Sequence, residues 1–197
     1  MPNRVRARAL CAALLAALVV AGCSTGRDAV AQGGTFEFVS PGGKTDLLYD
    51  PPETRGSIGD LEGPALLEDR TIHLSDFDGK VVVINIWGSW CAPCRTETPE
   101  LEKVFEETEP LGVAFLGIDV RDDRAAARDF VTDRKVRYPS IFDPPMRSLI
   151  ALGKSYPTSV VPTTLVLDRK HRVAAVFLRA LLAEDLRPVV RRIAAEP

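Results

Sequence analysis

The stretch that decides the fold runs from Val81 to Cys94 and reads VVVINIWGSWCAPC. Its first six residues are apolar except for Asn85, which predicts a buried β-strand. A Cys-x-x-Cys begins at Cys91, where a helix is expected to start. The dipole at a helix N-terminus favours a thiolate, and a second thiol one turn on can close the disulfide. The stretch therefore predicts thiol–disulfide exchange chemistry.

The N-terminus has the pattern of an export signal. Three arginines and no acid lie within the first eight residues, and an uncharged, mostly apolar run, 9–22, follows. This run is too short to span a bilayer comfortably. It ends in Val20-Ala21-Gly22-Cys23, which resembles the bacterial lipobox. We predict a lipoprotein signal peptide over residues 1–22 and lipidation of Cys23. A plain secretory signal or a short uncleaved anchor is the alternative interpretation.

The cysteine count supports a redox role for the pair. The chain has four cysteines, of which Cys11 would be lost with the leader and Cys23 would carry lipid. Only Cys91 and Cys94 then remain, and a single Cys-x-x-Cys outside the cytoplasm favours redox work over a structural staple. A zinc half-site is the alternative, but the two histidines of the chain stand in no metal-ligand spacing. We expect neither a metal nor a cofactor.

Residues 23–57 are predicted to form a lipidated tether. The segment is rich in Gly, Pro, Ser, Thr and Asp, and pairs such as Gly33-Gly34 and Pro51-Pro52 break long elements. Only Phe36-Glu37-Phe38-Val39 is interpreted as a short strand. The net charge of −2 for the whole chain predicts no nucleic-acid surface.

Residues 58–197 are predicted to form one α/β domain. A β-hairpin with strands 65–67 and 71–74 precedes the central strand, and a charged helix, a terminal strand pair and a C-terminal helix follow the Cys-x-x-Cys helix. The predicted elements after the central strand are strand 113–118, helix 124–134, strands 163–167 and 172–177, and helix 183–194. Strand–helix–strand–helix followed by a hairpin and a helix indicates a central mixed sheet flanked by helices.

The chain resembles thioredoxin-fold proteins of the TlpA/ResA/CcmG type, which are membrane-tethered bacterial thiol–disulfide oxidoreductases. The resemblance covers about residues 58–195. It rests on the strand region Asp78–Trp87 that leads into the cysteines, on WCAPC itself, and on Pro99, Val161-Pro162-Thr163 and Leu167-Asp168. Asn85 and Glu97 resemble the TlpA/ResA side of the family, because general thioredoxins usually place an Asp where this chain has Asn85.

The position of the cysteines and the resemblance together predict roles for the site residues. Cys91, exposed at the helix start, is expected to attack, and Cys94 is expected to resolve the mixed disulfide. The resemblance implies a cis Pro162, which would leave the Val161 backbone free to pair with a substrate peptide. Glu97 either tunes the protons of the thiols or is a solvated carboxylate at the helix start. Trp90 either contacts substrate or packs at the rim.

We therefore expect an extracytoplasmic, lipid-anchored thiol–disulfide oxidoreductase that reduces protein disulfides. The resemblance implies apocytochrome c as substrate, through its CxxCH motif, and a membrane thiol transporter as electron donor. A general disulfide oxidase or isomerase, a peroxiredoxin-like antioxidant and a non-catalytic tethered binding module are the alternatives. The vicinal cysteines weigh against a peroxiredoxin, and the intact Cys91, Cys94 and Pro162 weigh against a binding module.

Overall fold

The computed structural model of the protein describes residues 34–153 and 155–197. Eight strands lie in these ranges: β1 Asp46–Leu48, β2 Glu62–Pro64, β3 Thr71–His73, β4 Val81–Trp87, β5 Val113–Asp119, β6 Ser140–Phe142, β7 Thr163–Leu167 and β8 Val173–Phe177. The α-helices are α1 Ala92–Thr108, α2 Arg124–Asp133 and α3 Ala183–Ala194. The elements predicted from residue 81 onward are confirmed to within a residue or two, and β6 was not predicted.

Six of the strands form one mixed sheet in the order β1-β8-β7-β4-β5-β6. Strands β4, β5 and β6 run parallel, whereas β7 is antiparallel to β4, β8 to β7 and β1 to β8. The register places Trp87 beside Asp119 and Asn85 beside both Gly117 and Thr164. The carboxyl end of β4, from which the Cys-x-x-Cys follows, therefore lies next to the carboxyl end of β5.

The central strands are apolar because both faces of the sheet are covered. All seven residues of β4 and all seven of β5 are buried. Helices α1 and α3 cover one face, where their apolar stripes join a core that includes Val83 and Phe115. The N-terminal segment, the β2–β3 hairpin and residues around Leu149 cover the other face, against Ile84 and Leu116. This two-sided burial confirms the predicted thioredoxin-like α/β architecture.

The N-terminal segment belongs to the folded domain from about residue 35 onward, so the tether predicted for residues 23–57 is wrong over that part. Phe36, Phe38, Leu47 and Tyr49 are buried in the core. The strand lies at β1 and pairs with β8, rather than at residues 36–39. The Gly- and Pro-rich composition favoured a linker, but alternate apolar side chains gain enough burial to hold the segment on the sheet.

Arg55 ties this segment to the rest of the domain. Its side chain is fully buried and lies 2.9 Å from Asp50 and 3.3 Å from Asp168. It also donates hydrogen bonds to the carboxylate of Glu196 and to the carbonyl of Tyr49. A buried guanidinium is tolerated only when its donors are satisfied, and here three carboxylates surround it. The N-terminal segment, the β7–β8 turn and the C-terminus are thus joined through one cation.

The predicted β-hairpin is present, with its first strand shifted. Strand β2 pairs with β3 three residues earlier than expected, because Ala65 and Leu66 bond to Ile141 and Ser140 at the sheet edge instead. Within the described residues, no helix has the length and apolar character needed to cross a membrane. The predicted signal peptide and Cys23 lie outside the described residues.

Candidate active site

The two cysteines stand at the N-terminus of α1, directly after the end of β4. Cys91 is the N-cap residue of the helix, and its Sγ accepts a hydrogen bond of 3.2 Å from the Cys94 amide. The two residues form a disulfide, with their Cα atoms 5.3 Å apart. After reduction, the same amide and the helix dipole favour negative charge on the Cys91 sulfur. The geometry therefore fits a nucleophilic Cys91 and a resolving Cys94.

The disulfide is covered rather than open. Cys91 is 3% exposed and Cys94 is 1% exposed, so the expectation of an exposed Cys91 is wrong for this oxidised form. Both pack in an apolar cluster with Trp87 and with Phe130 of α2, and partly buried Val161 packs against the same cluster. A substrate must therefore approach across the edge formed by the residues before Cys91 and by Val161.

The two tryptophans of the stretch have different surroundings. Trp87 is buried and stacks on Phe130, with 4.7 Å between ring centroids. Trp90 is 45% exposed, and its indole N–H donates to the Val120 carbonyl at 3.0 Å. Its indole nitrogen lies so close to Gly88 that a Cβ there would meet it at 2.3 Å. Trp87 is thus a core residue, whereas Trp90 is held at the surface beside Cys91.

The Gly88–Trp90 segment is anchored on the loop that follows β5. Asp122 accepts hydrogen bonds from the Ser89 amide and, at 2.8 Å, from the Ser89 hydroxyl. The Val120 amide donates to the Trp87 carbonyl at 2.9 Å, and the Arg95 guanidinium donates to the Ser89 carbonyl at 2.8 Å. These contacts hold the backbone that leads into Cys91. Sequence reasoning missed Asp122, because its link to Ser89 spans 33 residues.

Glu97 lies on α1, one turn after Cys94, and its side chain is buried inside the domain. It is 1% exposed, which excludes the solvated carboxylate considered from the sequence. Its carboxylate accepts a hydrogen bond of 2.9 Å from Asn85 Nδ2 and one of 3.1 Å from the Leu181 amide. Asn85 also donates to the Thr164 hydroxyl. The Asn85–Glu97 pair that carried the resemblance is thus a direct contact between β4 and α1.

Burial changes the proton affinity of Glu97. Loss of hydration raises its pKa to about 7, although the hydrogen bonds from Asn85 and Leu181 act in the opposite direction. A carboxyl with this pKa exchanges a proton near neutral pH. It stands one helical turn after Cys94, so the site contains a proton-exchanging group close in the chain to the resolving thiol.

A second buried carboxyl, Asp119, was not predicted. It is fully buried, and neither carboxyl oxygen accepts a hydrogen bond from a described residue. Burial raises its pKa to about 8, and the charge of nearby Asp122 and a hydrogen bond from the protonated acid to Asp122 act in the same direction. Side chains alternate along a strand, so Asp119 lies on the same sheet face as Gly117, and its register partner is Trp87. A polar residue ending an apolar strand was the only signal in the sequence.

The Val161–Pro162 peptide bond is cis, as the resemblance implies. Pro162 is buried, Val161 is partly exposed, and β7 begins at the next residue, Thr163. The Val161 amide and carbonyl form no hydrogen bond with another described residue. The backbone beside the disulfide therefore retains a donor and an acceptor for an added strand.

The two histidines lie away from the disulfide. His73 pairs with Glu62 in the hairpin, and His171 lies in the β7–β8 turn with its Nε2 3.2 Å from the Phe77 carbonyl. That turn is at the end of the sheet opposite the disulfide. No group of three or more His, Cys, Asp or Glu side chains in residues 34–153 and 155–197 could hold a metal ion.

Comparison with known proteins finds thiol–disulfide oxidoreductases among the similar sequences. Residues 57–176 match the sequence profile of the AhpC/TSA family. Thiol-disulfide oxidoreductase ResA of Bacillus cereus is 27% identical over 127 residues, which are 64% of this chain and 71% of the relative.

Two solved structures are more similar in sequence. A secreted thiol-disulfide isomerase from Corynebacterium glutamicum is 47% identical with a TM-score of 0.79, and the match covers 83% of this chain and 100% of that one. A DsbF homologue from Corynebacterium diphtheriae is 48% identical with a TM-score of 0.76, covering 81% and 99%.

Proposed function

The chain belongs to the AhpC/TSA family and is a thiol–disulfide oxidoreductase, and from this premise we propose that it reduces protein disulfides outside the cytoplasm while anchored by lipid. The observation that carries the proposal is the Cys91–Cys94 pair at the N-terminus of α1, with the buried Glu97 behind it. This arrangement supplies a nucleophile, a resolving thiol and a proton-exchanging group.

The reaction proceeds in two exchanges. The Cys91 thiolate attacks one sulfur of the substrate disulfide, so a mixed disulfide forms and one substrate thiolate leaves. The Cys94 thiolate then attacks Cys91 Sγ, which closes the enzyme disulfide and releases the second substrate thiolate. The substrate gains two electrons, the enzyme loses two, and both released thiolates take up protons.

In this proposal, Glu97 assists the second exchange. Cys94 is 1% exposed, so its proton has poor access to bulk water. A carboxyl with a pKa of about 7 can accept that proton and return it when the pair is reduced again. Asn85 holds one oxygen of Glu97 in place at 2.9 Å. Glu97 is therefore assigned as the proton acceptor for Cys94.

The Val161 backbone and Trp90 form the substrate edge in this proposal. An extended peptide that pairs with the free amide and carbonyl of Val161 passes the mouth of the disulfide. Trp90, the residue before Cys91, offers an exposed aromatic side chain to the same peptide. Main-chain pairing gives affinity for unfolded segments without demanding a particular sequence.

The proposed location rests on the leader and on a relative. The Val20-Ala21-Gly22-Cys23 sequence after an apolar run supports lipidation of Cys23, and the Corynebacterium glutamicum relative is described as secreted. A lipid anchor would hold the domain at the membrane, where a membrane thiol transporter can supply electrons.

Apocytochrome c is the proposed substrate, because its CxxCH cysteines must be reduced before haem attaches. Deletion of the gene should lower covalent haem c, and an added small thiol should restore it. A deletion strain with normal haem c and misoxidised secreted proteins would contradict the proposal.

A disulfide oxidase or isomerase is the second candidate, and the 47% identity to a protein described as a secreted isomerase favours it. The reduction potential separates the two. A potential near that of thioredoxin, about −270 mV, suits a reductant, whereas about −120 mV suits an oxidant. Refolding of scrambled ribonuclease tests isomerase activity directly, and turnover of hydrogen peroxide with a thiol donor tests the peroxiredoxin-like alternative.

A further inference from the structure

Two arginines flank the Gly88–Trp90 segment that leads into Cys91. The Arg121 guanidinium lies over the Trp90 ring, 4.7 Å from its centroid, and the Arg95 guanidinium donates to the Ser89 carbonyl. Both side chains are exposed. Neither forms an ion pair with any residue in the described part of the chain, although eight other arginines there do.

The backbone conformation at Arg121 holds its side chain in position over Trp90. Arg121 has φ of 53°, in the left-handed region that residues other than glycine rarely adopt. Its amide donates to the Pro144 carbonyl at 3.2 Å, and the next residue, Asp122, is bonded to Ser89. The side chain is thus directed onto Trp90 by a loop that is bonded on both sides.

The acid that is bonded to this segment, Asp122, is already engaged. Asp122 accepts hydrogen bonds from the Ser89 amide, the Ser89 hydroxyl and the Asp123 amide. Its charge is therefore shared among three local donors, whereas the arginines keep free donors toward solvent. Near the disulfide, Arg95 and Arg121 thus present positive charge that no ion pair in the described part of the chain neutralises, although the net charge of the whole chain is −2.

We propose that Arg95 and Arg121, on either side of the Gly88–Trp90 segment in the chain, select substrates that carry an acidic side chain next to the reacting cysteine. This inference rests on the proposed function, since it assumes a protein disulfide as substrate. A carboxylate can meet a guanidinium in a two-pronged contact while the peptide backbone pairs with Val161. Because Arg121 already lies on the Trp90 ring, its side chain loses less conformational entropy when a substrate binds.

The test uses three cyclic peptide disulfides that differ only in the residue before the first cysteine, which is Glu, Gln or Lys. The reduced full chain is mixed with each peptide at low ionic strength, and the second-order rate constant is followed by tryptophan fluorescence. We expect the order Glu, Gln, Lys, with about two- to fivefold between neighbours, as exposed charge pairs usually give. Raising the salt to about 0.5 M should compress the series, because exposed charges are screened.

Variants of the two arginines test whether these side chains cause the preference for the Glu peptide. Arg121→Gln and Arg95→Gln should each reduce the Glu-to-Lys rate ratio, and the double variant should bring it close to one. Arg128→Gln is the control. Arg128 is an exposed residue of α2, and its side chain forms no hydrogen bond or cation–π contact with the Gly88–Trp90 segment. It should keep the wild-type ratio.

Two results would overturn the inference while leaving the proposed function intact. One is equal rates of the wild type on all three peptides. The other is an equal fall on all three peptides in the arginine variants, which would mean that the arginines act on the Cys91 thiolate and not on the substrate. A wild type that reduces none of the peptides would instead reject the proposed function itself.

Discussion

Replacement of Asp119 by Asn should stabilise the oxidised protein at neutral pH and remove part of its pH dependence. The carboxyl is fully buried, and its two oxygens accept no hydrogen bond from a described residue. An Asn amide can donate to Asp122 as the protonated Asp119 does, so the substitution keeps this hydrogen bond and the size of the side chain. It removes only the ability of the side chain to ionise.

The magnitude follows from the pKa values of the two states. Burial raises the pKa of Asp119 from 3.8 to about 8 in the folded protein. Between these values the unfolded chain has lost the proton and the folded protein keeps it, so stability falls as the pH rises. The loss is about 1.4 kcal/mol per pH unit and amounts to about 4 kcal/mol at pH 7. Below about pH 4 both states hold the proton, and the loss disappears.

Urea unfolding of the oxidised full chain at several pH values between about 4 and 8 measures this effect. Asp119→Asn should match the wild type near the acid end and become steadily more stable than it as the pH rises. Asp129→Asn is the control, since Asp129 is exposed on α2. Glu97 contributes the same slope to all three proteins and cancels in the differences. Parallel curves for wild type and Asp119→Asn across this range would refute a neutral buried carboxyl.

Four further predictions concern the thiols, the core and the anchor. Glu97→Gln should make alkylation of the reduced thiols several-fold faster at about pH 8. Burial raises the pKa of the wild-type carboxyl to about 7, so at pH 8 it is charged and opposes a thiolate. Superimposable alkylation–pH curves would argue against coupling between Glu97 and the thiols. Cys94→Ser should accumulate mixed disulfides through Cys91, whereas Cys91→Ser should not; gel analysis of trapped complexes checks this, and equal trapping would reject the assignment. Arg55→Met should lower the free energy of unfolding by about 2–3 kcal/mol, because it removes hydrogen bonds to the buried Asp168 and the part-buried Glu196, although Arg172 and Arg192 still pair with them; a urea midpoint equal to that of the wild type would contradict this. Mass spectrometry of the mature protein should find an acylated N-terminal Cys23, and a free N-terminus elsewhere would reject lipidation.

The part of the fold around the disulfide was predictable because its signals are local. An unbroken apolar run predicts a strand buried on both faces, and a Cys-x-x-Cys with proline predicts the helix start. The packing of the N-terminal segment was not predictable from composition, because its many Gly and Pro residues outweigh the one short alternation, at Phe36 and Phe38, that the sequence shows. Its place on the sheet depends on Arg55, whose three carboxylate partners are brought together only by the folded chain.

The burial of the two carboxyls, Glu97 and Asp119, was even less predictable from the sequence than the N-terminal segment. The position of Glu97 on the helix followed from its spacing after Cys94, but its loss of water depends on Leu181 and on β4, which are distant in the chain. Asp119 becomes buried only because β5 lies between β4 and β6. The parallel register then sets Asp119 beside Trp87, four residues before the nucleophile. The motif therefore defines the sulfur chemistry, while tertiary packing decides which nearby carboxyls hold protons at neutral pH.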